Sequence, residues 1–468
     1  MALSTQDHSV FRAFNRFGLG RRIDMPEADA TAAQKDPKGF LKSELNAQSA
    51  LVTSNELNDT KANLAAYFEQ QAMKKAMRDG TDPGVVPQTD TSPKSKMQTV
   101  QREAMLNEVE ARIAKAYAAP VGFLERWVWF WSNHFSISVA KSGLVRATAG
   151  SFEREAIRPF VLGNFGQLLK AVEQHPAMLA YLDNRDSIGP DSRAGQRRSK
   201  GLNENLAREI MELHTLGVDS GYTQTDVTAF ARVITGWTFA GANGKNAEPG
   251  VFYFDANRHE PGPQTILGKT YAQNDVAQGE VVLASLAANP ATAKHIAFKI
   301  ARHFVADNPP APLVDNLTTI FLKTQGDLKA LAMGLLDDDL SWSTPIQKFK
   351  SPLEFLMSMS RGLGFAPTKP QQMLKALKEL GQPTWQPPGP NGYGDTNEVW
   401  ASPEGLKVRL AYATLLVRQS QMQESPSDVL EALLGTSVSQ DTQQTVARAE
   451  SRQQGLALLF MSPEFQRR

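Results

Sequence analysis

The chain has 468 residues, of which 41% are hydrophobic and 21% charged, so it can bury one large core or two to three smaller ones. Lys and Arg number 50 against 49 Asp and Glu, and the resulting net charge of +1 favours no nucleic-acid partner. The absence of cysteine excludes disulfides, thiolate metal sites and a cysteine nucleophile.

Nothing in the sequence predicts a membrane span or a signal peptide. The first residues, MALSTQDHSVFRAFNRFGLG, contain no apolar run of the kind that a secretory leader needs. No stretch approaches the roughly 18 consecutive apolar residues that a spanning helix requires. A leader that had been cleaved would leave no trace, so the compartment stays open.

Helical periodicity dominates the chain. The stretch 101–119 is rich in helix formers and places apolar residues at steps of four. The stretches 318–338, 370–381 and 426–435 follow the same period, and the last two close on a glycine typical of a helix C-cap. We therefore predict a mainly α fold, built as a large helical domain.

Four stretches interrupt this pattern with loop-forming or β-prone residues. They are 79–96, 183–205, 250–271 and 381–400. The first is polar and we predict it to be mobile. The third has two β-prone runs around a Pro/Gly centre and predicts a small β-hairpin excursion. The last three carry aromatics or clustered charges, and long loops of this kind are usually functional, so we expect function from them.

The domain organisation has two open alternatives. Residues 1–347 read as a helical body that carries the motifs described below, and residues 348–468 read as a C-terminal helical lobe. The lobe can equally be part of the same domain. No internal repeat is found.

The stretch NENLAREIMELHTLGVDSGYTQTDV, Asn203–Val227, places seven strongly polar residues within its first twelve positions. Asn203 or Asn205 can cap a helix start, and Gly217 is a natural C-cap, so we predict a helix over about 204–216. The next helix would begin at Thr223, with Asp226 three residues later.

Four polar residues of this predicted helix share one face: Asn205, Arg208, Glu209 and Glu212. Arg208 can reach Glu204 and Glu212 at a spacing of four. In a partly buried cleft, one of Glu209 and Glu212 would be pushed towards neutral and act as a general acid. The other, paired with Arg208, would stay ionised. The alternative is a structural ion network on a solvated helix face.

Two further clusters accompany this motif. In ERWVWFWSNHF, Trp127, Trp131 and His134 fall on one helical stripe, which is either an aromatic core seam or the wall of a cleft. In NRHEPGPQTILG, His259 and Glu260 precede a Pro-Gly turn, which is either a loop that closes over a site or a plain surface turn.

The sequence contains no zinc-protease motif, no Walker motif, no dinucleotide-binding motif and no serine-hydrolase motif. The seven histidines are scattered. A divalent metal held by His134, His214 and His259 with Glu209 or Glu212 is permitted, but no spacing requires a metal or any other cofactor.

An ordered series of motifs resembles the bacterial family of unknown function called DUF1800. The motifs are NRFGLG (15–20), WSNHF (131–135), AYLD (180–183), the 203–227 stretch, ARVITGW (231–237), HEPGPQTILG (259–268), KSPLEF (350–355) and LGQPTWQPPGPNGY (380–393). The departures are Glu260, where the family usually has aspartate, and Ile210, where leucine is more common. The first puts a strict metal-ligand geometry in doubt.

The resemblance implies a mostly helical, commonly exported protein, hence a periplasmic or secreted location. Such proteins are often encoded beside a sulfatase- or phosphatase-like family, which suggests an extracellular polymer. We therefore expect a hydrolase that acts on an extracellular glycan or similar polymer by general acid/base chemistry. The alternatives are a non-catalytic binding or assembly partner of a sulfatase-like enzyme, and a divalent-metal enzyme that uses the same residues.

This expectation assigns the residues two roles. The predicted catalytic residues are Glu209, Glu212, Arg208, His214 and His134. The predicted substrate-binding residues are Asn203, Glu204, Asn205, Trp131, Tyr222, Asp226, Trp237 and His259, with Trp131 and Trp237 as walls.

Overall fold

The structure, a computed structural model, describes residues 5–79, 93–197, 201–244 and 247–468. Residues 80–92, within the segment predicted to be mobile, lie outside the described residues.

The first half of the described chain is almost entirely helical. Its α-helices are α1 Thr5–Arg12, α2 Glu27–Lys35, α3 Pro37–Ser43, α4 Ala47–Ala50, α5 Thr60–Arg78, α6 Pro93–Ala118, α7 Phe123–His134, α8 Gly143–Phe152, α9 Phe165–Glu173, α10 Pro176–Tyr181, α11 Asn205–Glu209 and α12 Gln224–Val233. Three π-helical segments extend helices of this half: Ala13–Phe17, Glu153–Ile157 and Ile210–His214. Single 3₁₀ turns occupy Asn184–Asp186 and Gly195–Arg197.

The second half continues in the same way. Its α-helices are α13 Asp275–Ala287, α14 Pro290–Phe304, α15 Ala311–Lys323, α16 Leu328–Asp337, α17 Asp339–Ser343, α18 Pro352–Gly362, α19 Pro370–Glu379, α20 Asn397–Trp400, α21 Pro403–Gln419, α22 Pro426–Leu434, α23 Gln440–Ala447, α24 Arg452–Met461 and α25 Pro463–Gln466, and a 3₁₀ turn occupies Gly435–Ser437. The mainly α prediction is confirmed.

Two of the predicted helix ends agree with the structure, whereas α6 begins at Pro93, inside the stretch 79–96, which the sequence predicts to be a mobile loop. The helices expected at 370–381 and 426–435 end just before Gly381 and Gly435, both with positive φ. The stretch 318–338 instead splits between α15 and α16, because Gln325 and Gly326 adopt left-handed backbone conformations that a continuous helix cannot hold.

The four short strands form two separate antiparallel pairs. Strand β1, Trp237–Phe239, pairs with β2, Phe252–Phe254, and β3, Gln264–Ile266, pairs with β4, Lys269–Tyr271. The small β excursion predicted near 250–271 is therefore present. Its two β-prone runs do not pair with each other, since β2 takes its partner from the earlier ARVITGW motif.

The core is organised around two helices that are buried on all sides. Every residue of α18 is buried, and so are ten of the twelve residues of α7, where only Ser132 and Asn133 are half-buried. Trp127 of α7 lies between Phe123, Trp131 and Phe304 of α14. Each such aromatic side chain contributes about 2–3 kcal/mol by leaving water.

Residues from the last fifth of the chain are tied directly to earlier helices. The backbone N–H of Arg468 donates to the carbonyl oxygen of Lys348 at 2.7 Å, and the Arg468 side chain donates to the carbonyl oxygen of His303. In the described parts of the chain, no helix is both long and apolar enough to cross a membrane.

Candidate functional site

The 203–227 stretch forms a helix that changes its winding halfway. Helix α11 runs without interruption into the π-helical turn Ile210–His214. The predicted start is confirmed, since the side-chain oxygen of Asn203 accepts from the backbone N–H of Asn205 at 2.9 Å. The helix ends at His214, two residues earlier than predicted, and Gly217 follows with φ 91°. A π-turn is wider than an α-turn and is frequent at functional sites.

One face of this helix carries the predicted ion pairs. Arg208 contacts Glu204 at 3.2 Å and Glu212 at 3.4 Å. Glu204 also accepts from Gln224 at 2.8 Å and Thr228 at 2.7 Å, which ties α11 to α12. These acidic and basic side chains remain 26–35% exposed, so each pair contributes only about 0.2–1 kcal/mol.

Glu209 differs from its acidic neighbours. It is half-buried, and its carboxylate has no hydrogen bond or ion pair to the described residues. Burial raises its pKa; the charge of Glu212 raises it further, against the lowering effects of His214 and Arg208. Two carboxylates on successive turns thus occupy different surroundings, one unpaired and one held beside a guanidinium.

Two phenols adjoin these carboxylates. Burial, followed by the charge of Glu209, raises the pKa of Tyr181 to about 12. Burial, followed by a contact with Glu212, raises the pKa of Tyr222 to about 12. Both phenols are therefore protonated at neutral pH and can donate. We call Tyr181, Arg208, Glu209, Glu212 and Tyr222 the helix site.

A buried histidine cluster lies behind the helix site. His214 Nδ1 lies 2.8 Å from Glu173 Oε1, and both side chains are completely buried. His134 Nε2 donates to the carbonyl oxygen of His214 at 3.2 Å, and His134 Nδ1 accepts from Lys299 Nζ at 2.8 Å. His295 Nε2 donates to the carbonyl oxygen of Leu213 at 3.2 Å. We call His134, Glu173, His214, His295 and Lys299 the histidine cluster.

Two histidines of the cluster, His134 and His295, are kept uncharged at neutral pH. Burial, followed by the charge of Lys299, lowers the pKa of His134 well below its ordinary value and that of His295 to about 4. Burial also lowers the pKa of Lys299 to about 8. Since His134 and His214 are 2% and 0% exposed, they can support the helix site but cannot touch a solvent-borne substrate in this conformation.

The cluster is not arranged as a metal centre. Within residues 5–79, 93–197, 201–244 and 247–468, no group of three His, Asp or Glu side chains is placed to hold a metal ion. His259 lies apart, with Nδ1 at 3.0 Å from the carbonyl oxygen of Thr235 and Nε2 buried.

The remaining predicted binding residues are spread over the molecule. Trp131 and Trp237 lie in the core with no exposed surface. Asp226 forms the predicted capping box with Thr223, and its second oxygen accepts from the backbone N–H of Leu267 at 2.7 Å, which fixes the β3–β4 hairpin. Asn203 and Asn205 stand at the start of α11.

A second site, not assembled by the sequence analysis, is formed where the 381–400 loop folds over the end of α7. Asn133 holds the loop through two hydrogen bonds with the backbone of Tyr393, at 3.0 and 2.8 Å. Gly392 has φ +77°, and a Cβ there would lie 2.4 Å from the Asn133 carbonyl oxygen, so only glycine fits. The loop and α7 enclose a pocket of about 100 Å³.

This pocket, which we call the aromatic pocket, has aromatic walls and a charged floor. Its aromatic residues are Trp129, Trp385, Tyr393 and Trp400, its charged residues are Arg112, Glu354, Asp395 and Arg468, and His303 lies beside them, with its pKa lowered mainly by burial. Sequence reasoning singled out the loop but missed its partners. A polar residue on a largely apolar helical stretch, such as His303 in AFKIARHF, is the sequence feature that could have indicated these partners.

The charges of the floor are paired. Arg468 contacts Glu354 at 2.9 Å and Asp395 at 3.5 Å, and His303 Nδ1 contacts Asp395 at 2.7 Å. Burial raises the pKa of Glu354, but Arg126 and Arg468 outweigh it and lower that pKa to about 2. Both carboxylates are therefore ionised at neutral pH, and neither can serve as a general acid.

These features define a mainly helical protein that holds a carboxylate-bearing helix over a buried histidine cluster, with an aromatic pocket nearby on α7. The chain belongs to the DUF1800 family: the sequence profile described as "Protein of unknown function (DUF1800)" matches residues 12–467, which confirms the resemblance seen in the motifs. No curated protein and no solved structure matches the chain.

Proposed function

We propose that this protein is a hydrolytic enzyme that cleaves an extracellular glycan or similar polymer by general acid/base chemistry at the helix site. The observation that carries the proposal is the contrast between two carboxylates one turn apart. Glu209 is half-buried and unpaired with a raised pKa, whereas Glu212 is paired with Arg208. A pair of carboxylates in opposed surroundings is what acid/base hydrolysis requires.

The residues divide the chemistry between them. Glu209, in its protonated form, gives its proton to the bridging oxygen as the bond to the leaving group breaks. Glu212, ionised, takes a proton from the attacking water, so one water is consumed for each bond cleaved. Arg208 and the Tyr222 hydroxyl, which donates to Glu212, hold the Glu212 carboxylate in place, and the protonated hydroxyl of Tyr181 donates to the substrate.

Behind them, the histidine cluster has a positioning role. Glu173 holds the His214 ring, and His134 holds the backbone at the end of the π-turn. Both contacts fix the turn that carries Glu212.

A non-catalytic role as a binding or assembly partner of a sulfatase- or phosphatase-like enzyme is the second candidate. The observation that favours it is the completeness of the network around Glu204, in which Arg208, Gln224 and Thr228 all find partners. Such a network is also typical of a helix face that serves only to fix geometry.

The proposal is tested by a polysaccharide hydrolysis assay on the purified protein. A panel of bacterial and plant polymers is incubated with wild type, Glu209→Gln and Glu212→Gln, and new reducing ends are measured. Each variant should cut the rate by about 100-fold or more, because general acid or base catalysis contributes 10²–10⁴-fold. The wild-type rate should fall at high pH, as Glu209, whose pKa is raised mainly by burial, loses its proton.

Glu404→Gln is the matched control, since Glu404 is 80% exposed and far from the helix site in sequence. It should leave the rate unchanged. Hydrolysis that survives in both folded site variants, or wild-type protein that cleaves none of the polymers, would contradict the proposal and favour the non-catalytic candidate.

A further inference from the structure

The aromatic pocket has features that the proposed hydrolysis does not use. Its walls combine half-buried Trp385 and Tyr393 with buried Trp129 and Trp400. Its volume of about 100 Å³ is several times the roughly 15 Å³ that a cavity needs to hold one water, so it can take up one face of a single small ring.

Trp385 is held in an unusual backbone conformation. Its φ is 49°, in the left-handed region that bulky residues rarely adopt, at a cost of about 1–3 kcal/mol. Its carbonyl oxygen accepts from the backbone N–H of Val139 at 2.8 Å, and its Nε1 donates to Glu153 at 3.4 Å. These contacts present a strained tryptophan ring at the pocket, and strain of this kind clusters at binding sites.

The charges around the pocket disfavour an ionic ligand of either sign. Arg112 lies 5.2 Å from the Trp129 ring and 5.7 Å from the Trp385 ring, and it bonds Glu153 at 3.0 Å. A cationic ligand would therefore meet a guanidinium already placed on both rings. An anionic ligand would meet Asp395 and Glu354, while the arginines of the lining are already paired with carboxylates.

Two polar atoms in the lining lack partners. Trp129 Nε1 and Thr384 Oγ1 are buried and form no hydrogen bond with any of the described residues. Their side chains belong to residues only 8% and 9% exposed. A buried donor without a partner costs about 1–3 kcal/mol, and a ligand hydroxyl at this place would relieve that cost.

We propose that the aromatic pocket binds one uncharged sugar ring. The apolar C–H face of the ring stacks on Trp385, the half-buried tryptophan of the lining, and its hydroxyls pair with Trp129 Nε1 and Thr384 Oγ1. The inference rests on this pocket alone, and it holds whether or not the helix site is catalytic.

Binding is tested by isothermal titration calorimetry on the full chain. The probes are methyl β-glucopyranoside, N-acetylglucosamine, cellotriose and chitotriose, and a proline-rich peptide and inorganic phosphate serve as comparison ligands. At least one of the sugars should saturate a single site with a Kd of about 1 mM or tighter. The peptide and phosphate should show no saturable binding.

Variants assign the binding to the pocket. Trp385→Ala should weaken sugar binding at least about tenfold, and Thr384→Val, which keeps the side-chain shape, about three- to tenfold, as expected for one stacking surface and one hydrogen bond. Tyr253→Ala, on β2, should bind like wild type. Trp385→Phe should restore part of the affinity lost in Trp385→Ala.

The inference would be overturned if none of the sugars showed saturable binding, or if the peptide or phosphate saturated a site instead. It would also be overturned if folded Thr384→Val and Trp385→Ala bound sugar as tightly as wild type. Sugar affinity in Trp385→Ala and hydrolysis in Glu209→Gln are separate measurements on separate sites, so failure of the proposed hydrolysis and failure of this inference are distinguishable.

Discussion

At the scale of single residues, surroundings decide what a given side chain does. Glu173 and Glu204 are both glutamates with a basic partner. Glu173 is fully buried against His214, whereas Glu204 shares Arg208 on a half-exposed face. Removing His214 would leave the buried Glu173 carboxyl without its hydrogen bond, at a cost of about 1–3 kcal/mol, whereas an exposed pair contributes about 1 kcal/mol or less.

The histidine cluster should make the protein less stable in mild acid. The pKa of His295 is lowered from 6.5 to about 4, so below pH 6.5 the unfolded chain binds a proton that the folded chain does not. The free energy of unfolding should therefore fall as the pH drops from 6.5 towards 4. In His295→Gln, the difference between pH 7 and pH 5 should shrink by about 1 kcal/mol, allowing for partial exposure.

Urea unfolding at the two pH values measures this difference. Lys294→Gln, which changes the exposed neighbour of His295 on α14, should behave like wild type. Identical losses in His295→Gln and wild type would show that His295 titrates normally.

At the scale of elements, the three π-helical segments share one property. Each contains a polar side chain that is buried: Arg16 in the first, Glu153 in the second and His214 in the third. The extra residue in a π-turn rotates the following side chains around the helix axis. A polar side chain that would otherwise face the apolar core can then reach a hydrogen-bond partner. Arg16, for example, donates to the carbonyl oxygens of Ser341 and Thr344 at 2.6 Å.

Helix α7, which carries Asn133 and His134, depends on a carboxylate from elsewhere in the chain. Gly122 at its start provides no side-chain cap. Instead, the Glu44 carboxylate accepts from the backbone N–H groups of residues 121–124, at 2.6–3.2 Å. An anion at this end also interacts favourably with the helix dipole.

Glu44→Ala should therefore destabilise the protein by about 2–4 kcal/mol, as several charge-assisted hydrogen bonds are lost together. Glu44→Gln should cost less, because an amide oxygen still accepts. Urea unfolding of each variant measures these losses in the free energy of unfolding. Glu404→Gln, at an exposed position, is the control. A loss below about 0.5 kcal/mol in Glu44→Ala would mean that water replaces the cap.

At the scale of the whole molecule, buried charges join segments that lie far apart in sequence. Lys350 is 1% exposed and donates to Asn15 Oδ1 at 3.1 Å and to the carbonyl oxygen of Phe465 at 2.7 Å. Arg126 contacts Glu354, which also holds Arg468. Residues near both ends of the described chain thus meet beside α18.

Lys350 should make stability rise with pH above neutrality. Burial lowers its pKa from 10.5 to about 7, so between these values the unfolded chain keeps a proton that the folded chain has lost. The free energy of unfolding should increase by up to about 1.4 kcal/mol per pH unit in this range. Lys299, with a pKa lowered to about 8, should add to the rise above pH 8.

Lys350→Met should remove most of this slope between pH 7 and 8, as measured by urea unfolding. Lys407→Met, at a position whose side chain is 76% exposed, is the control and should keep the wild-type slope. A Lys350→Met protein with the wild-type slope would show that Lys350 stays charged in the folded state.

Features that depend on neighbours a few residues away could be predicted. The helical class, the Thr223–Asp226 capping box, the glycines after α19 and α22, and the pairing of Arg208 with Glu204 and Glu212 all follow from local spacing. Residues three or four apart always lie next to each other on a helix. The sequence alone therefore determines features that depend only on such spacing.

The environments of the candidate sites were decided only by the tertiary structure. Whether Glu209 or Glu212 is the unpaired carboxylate depends on what packs around each, and helical period places both on the same face. Trp129 and Trp385 come together because the 381–400 loop returns to α7. The pKa of a side chain, and whether a buried donor finds a partner, depend on which distant segments pack around it. Local spacing in the sequence does not contain that information.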